Sequence, residues 1–384
     1  MLIQCTKSLL DQIGIKESEL SSSEGHEQYP DSFMAWHANY VTIDRKKAIV
    51  LMNNETRYPV VIYRPRKKDF SNIKVLILEA ISETLHMEGV NKEIIDRYLA
   101  KAGEISFSKT ASKSIVGKMN NAVREIEVMQ EYLNEETRVQ RYISLVAGRL
   151  IQLSKDNKGF YPIEKMLTCL NRFYYHDNHE GVANVLDIDL YQLRIKINIE
   201  SHEIWRRVLV PSTFSFRHLH NIIQTVFDWH NYHLHEFVVE RTDGKSIKII
   251  MDEDPETIEY LEFDVFDIRQ ERFIALEDIF PTFGEVTYEY DFGDSWLHTI
   301  TFEKIIKSNA LQATFVDGIG ERPPEDVGGE WGYEDYLQIV ANEKHPEHEN
   351  RKAWAESQKA RMLNPEEINR RLKRTLSSYR YSKW

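Results

Sequence analysis

Nine consecutive residues, Tyr191-Gln192-Leu193-Arg194-Ile195-Lys196-Ile197-Asn198-Ile199, alternate apolar and polar without a break. Successive side chains of a strand point to opposite faces, so this stretch demands a strand with one buried and one wet face. That pattern argues against a doubly wound sheet, whose strands read as continuous apolar runs. A second strand, Ile204–Val210, follows and stops at Pro211. Phe216–Phe227 then has the period of an amphipathic helix, with Leu219, Ile222, Ile223, Val226 and Phe227 on one face and Ser215 as its N-cap. Leu234–Val239 is a third strand, and Val286–Phe292 with Leu297–Phe302 reads as a hairpin across Gly293-Asp294-Ser295. Antiparallel strands with inserted helices define an α+β class.

The first half has the same character. Tyr40–Ile43, Ala48–Met52 and Pro59–Tyr63 read as a strand meander, with helices over Asp69–Met87, Lys92–Ala102 and Lys113–Glu135. Gly103 is placed to end the second of these. With 384 residues, the chain divides into two α+β domains, each a mainly antiparallel sheet with packed helices. The expected boundaries are 1–130 for the first domain, 131–184 for a helical connector and loop, and 185–384 for the second domain.

Charge and cysteine content narrow the setting. Lys+Arg is 49 and Asp+Glu is 61, a net −12 that argues against non-specific coating of DNA. The C-terminal tail is the basic exception, with Arg351, Lys352, Lys359, Arg361, Arg370, Arg371, Lys373, Arg374, Arg380 and Lys383. Two cysteines, Cys5 and Cys169, provide neither a disulfide framework nor a zinc ribbon and suit a reducing cytosol. No apolar run reaches the roughly 18 residues of a membrane span, and the start lacks a secretory pattern. The expectation is a cytoplasmic protein with no membrane partner.

Three segments of the second half belong together: YQLRIKINIESHEIWRRVLVP (191–211), WHNYHLHEFVV (229–239) and YEYDFGDSWLHTI (288–300). They precede DGIGERPPEDVGGEWGYEDYL (317–337) and HPEHE (345–349). In order and spacing these blocks resemble the plasmid pRiA4b ORF-three-like family, whose transposon-borne relatives are called TnpR-like, over about residues 185–375. The resemblance implies an α+β fold and an association with mobile elements, but no reaction. Nothing here resembles the activated serine of a serine recombinase. Many relatives carry cysteines where this chain has Val316, Arg322 and Val327, so any metal here must rest on histidines and carboxylates. Residues 36–63 and 103–123 resemble, more loosely, an uncharacterised N-terminal domain.

The densest set of chemically competent residues lies in those blocks: His230, His233, His235, Asp291, Asp294, His298, Glu325 and Asp326. His233 and His235 are two apart, which on a strand places them on one face. Asp294 and His298 bracket a turn. Imidazole and carboxylate suit zinc, manganese or iron, so His233, His235, Asp294 and His298 are the expected ligands of a divalent metal. The plainer reading is that Asp291 and Asp294 are turn residues and that Pro323-Pro324-Glu325-Asp326 caps a helix. Trp205, Arg206 and Arg207 extend the candidate pocket, with Trp205 directed to the core and Arg206 to solvent; the arginines either contact an anion or pair with Asp291 or Asp294. Trp296 belongs to an aromatic set around the motifs. In the first half, Lys109, Lys113 and Lys118 with nearby serines read as a phosphate contact or an ordinary helix start.

Three functions follow from these residues. The leading one is a mobile-element-associated binding or adaptor protein engaging a protein or nucleic acid, because no catalytic motif is complete. The alternatives are a metal-dependent hydrolase or nuclease using the His/Asp cluster, and a DNA-binding accessory protein using the basic tail.

Overall fold

The structure is a computed structural model that describes residues 1–21, 32–110, 113–154, 156–176, 184–251, 266–358 and 364–375. These fall into two compact units, one formed by residues up to Asp187 and one beginning at Ile188. Both are α+β. Among the described residues no helix is long and apolar enough to cross a membrane.

The first unit holds strands β1 (Leu2–Cys5), β2 (Ala35–Ile43), β3 (Lys46–Asn53), β4 (Pro59–Tyr63) and β5 (Ser106–Lys109), in the order β4-β3-β2-β1-β5. β2, β3 and β4 form the expected antiparallel meander, while β1 joins β2 and β5 in parallel. Asp44 and Arg45 turn β2 into β3 with φ of 44° and 59°. Two left-handed residues match the twist of the strands they connect. A short ribbon pairs β6 (Gln152–Leu153) with β7 (Gly159–Phe160). The helices are α1 (Lys7–Ile13), α2 (Lys67–Ser71), α3 (Ile73–Met87), α4 (Lys92–Ala102), α5 (Lys113–Val128), α6 (Arg141–Ala147) and α7 (Pro162–His176).

Several details differ from the sequence reading, among them the helix expected over Lys113–Glu135, which ends at Val128. The helix expected over Asp69–Met87 is broken at Asn72, whose φ of −122° leaves the helical region. The Asp69 carboxylate, which accepts from the Arg66 backbone N–H at 2.6 Å, caps the short helix before the break. Residues 131–184 are also no separate connector. Ile143 and Ala147 of α6 are buried in the same cluster as Val50, Met52, Val61 and Tyr63 of the sheet and Met119, Val123 and Ile126 of α5. A seven-residue helix has little stability alone, so packing of its apolar face decides where it belongs. Ile49, Val50, Leu51 and Met52 of β3 are all buried, so both faces of that strand are covered.

The second unit is built on one eight-stranded sheet. Its strands are β8 (Ile188–Ile197), β9 (Ile204–Pro211), β10 (His235–Val239), β11 (Ser246–Ile250), β12 (Phe266–Gln270), β13 (Glu285–Tyr290), β14 (Trp296–Ser308) and β15 (Thr314–Ile319). The order is β12-β11-β10-β13-β14-β8-β9-β15, and only β11 and β12 pair in parallel. Helix α8 (Phe216–Phe227) forms where expected but is buried on nearly all sides, with His218, His220, Gln224 and Thr225 as well as Leu219, Ile222, Ile223 and Val226 inside. Helices α9 (Gly329–Ala341), α10 (His348–Gln358) and α11 (Pro365–Thr375) follow the sheet.

The basic C-terminal stretch is not a free tail where it is described. Ile368 and Leu372 of α11 are buried, and the Asn369 amide bonds the Phe315 backbone N–H and carbonyl at 2.8 and 3.1 Å. Arg370 pairs with Glu367 and Arg371 with Asp228. Lys373 and Arg374 stay exposed. Lys359, Arg361, Arg380 and Lys383 lie outside the described residues.

Candidate functional site

Sheet order brings the motif segments together. His235, the first residue of β10, pairs with Tyr290, the last of β13, and the Asp291 N–H donates to the Leu234 carbonyl at 2.9 Å. The segment before β10 therefore lies against the loop after β13. A third segment crosses both: the Gly328 N–H donates to Asp294 Oδ2 at 3.1 Å, and the His230 N–H donates to Glu325 Oε1 at 2.6 Å.

His233 Nε2 stands at the meeting point. It is 3.0 Å from Asp326 Oδ1, 3.4 Å from Asp291 Oδ2 and 3.9 Å from Glu325 Oε2. Each carboxylate has its other oxygen committed elsewhere. Asp291 Oδ1 accepts from the Gly293 N–H at 3.0 Å, Glu325 Oε1 from the His230 N–H, and Asp326 Oδ2 from the Tyr232 hydroxyl at 2.9 Å. Asp291 and Asp326 thus turn their second oxygen toward the imidazole nitrogen, while Glu325 Oε2, farther off at 3.9 Å, also faces the Tyr290 hydroxyl at 3.5 Å. Glu325 is fully buried, and burial raises its carboxyl above the usual range, partly offset by the His230 N–H and Arg322. Donor atoms of His233, Asp291 and Asp326 lie within 4.8 Å of one another. An ion bound at about 2.0–2.2 Å holds neighbouring ligands roughly 3–3.5 Å apart, so these side chains would have to draw together around it.

The sequence placed His233, Asp291, Glu325 and Asp326 among the candidates, but three expected ligands are elsewhere. His235 does not share a face with His233, because the strand begins only at His235 and Asn231, with φ of 58°, turns the chain before it. Asp294 caps the approach to α9 through Gly328. His298 is fully buried, donates from Nδ1 to the Trp296 carbonyl at 2.9 Å, and is pushed down to about 4 by burial. Trp296 is buried against Trp229 at 6.1 Å between ring centres.

The expected orientation of Trp205-Arg206-Arg207 is reversed. Arg206 shares the buried face of β9 with Ile204, Val208 and Val210. Its guanidinium donates to the carbonyls of Val226, Trp205, Ile319 and Gly320 at 2.7–3.0 Å and lies over the Phe227 ring. These four acceptors make a buried cation tolerable there. Trp205 instead sits half-exposed between Arg194 and Arg207. Arg207 pairs with Glu303 and Asp317 rather than with Asp291 or Asp294. In the first unit, Lys109 pairs with Glu17.

A network beneath the site was not legible in sequence. His220 and His235 stack at 3.5 Å with a 6° angle between rings. His220 Nε2 donates to Asn231 Oδ1 at 2.6 Å, and the Tyr288 hydroxyl donates to His220 Nδ1 at 2.9 Å. Gln224 donates to the same hydroxyl at 3.0 Å. His235 Nε2 donates to Glu271 at 2.8 Å, and Arg217 reaches the other Glu271 oxygen at 3.2 Å. Burial pushes both histidines down to about 3, so both are neutral. Through Asn231, this network anchors the turn that presents His233. Nothing in the spacing of residues 217–235 marks it, because its members come from α8, β10, β13 and the loops that hold Asn231 and Glu271.

Gly329 lets the third segment approach. Its φ is +67°, and an added Cβ would stand 2.8 Å from the Asp294 carbonyl oxygen. Gly329→Ala is expected to cost about 1–2 kcal/mol from backbone conformation alone, with more from that contact. Gly244→Ala is the control, since Gly244 has φ +79° and open space around it. Thermal unfolding of the two variants checks this: equal losses would show that the approach to Asp294 is unimportant.

Comparison with known proteins places these blocks in context. The family model described as Plasmid pRiA4b ORF-3-like protein matches residues 189–371, which include all four residues of the His233 cluster. A model described as a domain of unknown function, DUF6933, matches residues 2–165. The uncharacterised protein y4hQ of Sinorhizobium fredii is 31% identical over 169 residues, 43% of this chain and 81% of that protein. A solved structure of a protein of unknown function from Methanosarcina mazei Go1 is 30% identical, spans 47% of this chain and 97% of its own, and superposes with a TM-score of 0.40.

Proposed function

The chain belongs, through its second half, to the plasmid pRiA4b ORF-3-like family, and from that premise we propose that the second unit binds a divalent cation through His233, Asp291, Glu325 and Asp326. One observation carries the reading: Asp291 and Asp326, each fixed through one oxygen, direct the other at His233 Nε2, with the buried Glu325 beside them. Partners that fix a ligand's second atom are the usual support of a metal site. One nitrogen and several carboxylate oxygens suit manganese, zinc or iron better than a soft-metal site.

The binding or adaptor role expected from the sequence, and its mobile-element association, belong to this proposal as the form in which the ion organises a docking surface. The hydrolase reading is favoured by a separate observation. Asp326 is 53% exposed, so the cluster opens to solvent on that side. An ion with an open position can bind and acidify water, which is how such sites attack phosphodiesters.

Elemental analysis and titration calorimetry with zinc and manganese test the site on the full chain. About one ion per chain is expected. His233→Ala and Asp291→Asn should weaken binding by at least about 30-fold, whereas Asp294→Asn, which keeps the oxygen accepting from Gly328, should change it little. Absence of binding to either ion would sink the proposal and leave His233 as a hub of ion pairs.

A further inference from the structure

A second candidate site lies within the first unit, apart in sequence from the residues of the His233 cluster. Gln12, Ile13, Tyr40, Pro65, Lys67, Phe70 and Ser71 line an open cleft of about 500 Å³. That volume is within the roughly 300–1,000 Å³ of small-molecule sites. Its walls combine two chemistries. Tyr40 and Phe70 meet edge to face at 5.7 Å, and both rings are only half-buried. The Lys47 ammonium lies 5.3 Å from the centre of the Tyr40 ring.

The charge around the cleft is unbalanced. Residues 64–68 read Arg-Pro-Arg-Lys-Lys in a chain of net charge −12. Arg64 is neutralised by Glu135. Arg66, Lys67 and Lys68 are exposed and enter no ion pair among the described residues. The neighbouring carboxylate, Asp69, is buried and already held by the Arg66 N–H and by Arg138 at 2.9 Å. No lining residue carries a negative charge. A run of unpaired cations beside accessible aromatic rings has one natural complement: a planar aromatic group carrying an anion.

We propose that this cleft binds a nucleotide unit, with the base against Tyr40 and Phe70 and the phosphate on Lys67 and its basic neighbours. The same chemistry is presented by a free mononucleotide and by a residue of single-stranded nucleic acid.

The test uses the full chain in chelator, which removes any contribution from a cation in the second unit. Calorimetry with AMP and ATP, and fluorescence polarisation with a labelled twelve-nucleotide single strand, provide the two arms. Lys67→Glu with Lys68→Glu reverses charge at exposed positions and is expected to weaken binding at least tenfold. Tyr40→Leu should weaken it severalfold while leaving the salt dependence unchanged. Mononucleotide binding with no gain for the oligonucleotide supports a free-nucleotide site. Much tighter, steeply salt-dependent oligonucleotide binding supports a single-strand site. Inorganic phosphate competing as well as AMP would overturn the role of the rings, and no binding in either arm, or binding indifferent to the charge reversal, would overturn the site.

Discussion

Replacing Glu88 with alanine is expected to lower the stability of the first unit by about 3–5 kcal/mol, the range for removing one partner of a buried ion pair. The Glu88 side chain is fully buried and Arg149 is 9% exposed. Arg149 holds both Glu88 oxygens, at 2.8 and 2.6 Å, and the Tyr58 hydroxyl donates to Oε1 at 2.7 Å. Alanine leaves a guanidinium in the interior without this carboxylate, and a buried phenol without its acceptor. Substituting Glu88 and Arg149 together with methionine should cost less than Glu88→Ala, because no charge is then stranded. Urea unfolding followed by hydrogen exchange of the β2–β4 segment measures both. A loss under about 1 kcal/mol for the single variant would mean that water or rearrangement replaces the pair.

Acid should begin to destabilise the second unit below about pH 6.5, the ordinary histidine value. Burial pushes His220 and His235 down to about 3 and His298 to about 4. Between those values and 6.5 the unfolded chain binds more protons than the folded one, so stability rises with pH and falls as pH drops through the window. Each histidine contributes up to about 1.4 kcal/mol per pH unit there. Protonation is opposed structurally as well: His235 Nδ1 and His298 Nε2 are buried without hydrogen-bond partners. Glu271, raised by burial, acts in the opposite direction as it takes up its proton in the folded state. Trp205, Trp229, Trp296, Trp331 and Trp354 lie in the second unit and only Trp36 in the described part of the first, so indole fluorescence reports chiefly on the unit concerned. The urea midpoint should fall between pH 7 and 5, and less steeply in His298→Gln. A midpoint flat across that interval would contradict the assignment of neutral buried histidines.

Periodicity and punctuation in the sequence determined the local structure. Unbroken alternation at 191–199 requires the one-sided strand β8, and the apolar face of 216–227 requires a helix lying on a sheet. The motif blocks also carried the family and named four residues that meet: His233, Asp291, Glu325 and Asp326. Only tertiary structure separated them from His235, Asp294 and His298. β10 begins at His235, two residues after His233, so the two histidines share no strand face, and the pairing of His235 with Tyr290 sets which loop lies beside them. The burial of Arg206 follows the same logic. Its neighbours Ile204 and Val208 claim the inner face, and four carbonyls from β9, α8 and the end of β15 make a cation acceptable there. Such acceptors come from segments up to 114 residues away in the chain. Periodicity records the preferences of neighbours along one element, whereas a site is assembled from residues that only strand order and packing bring together.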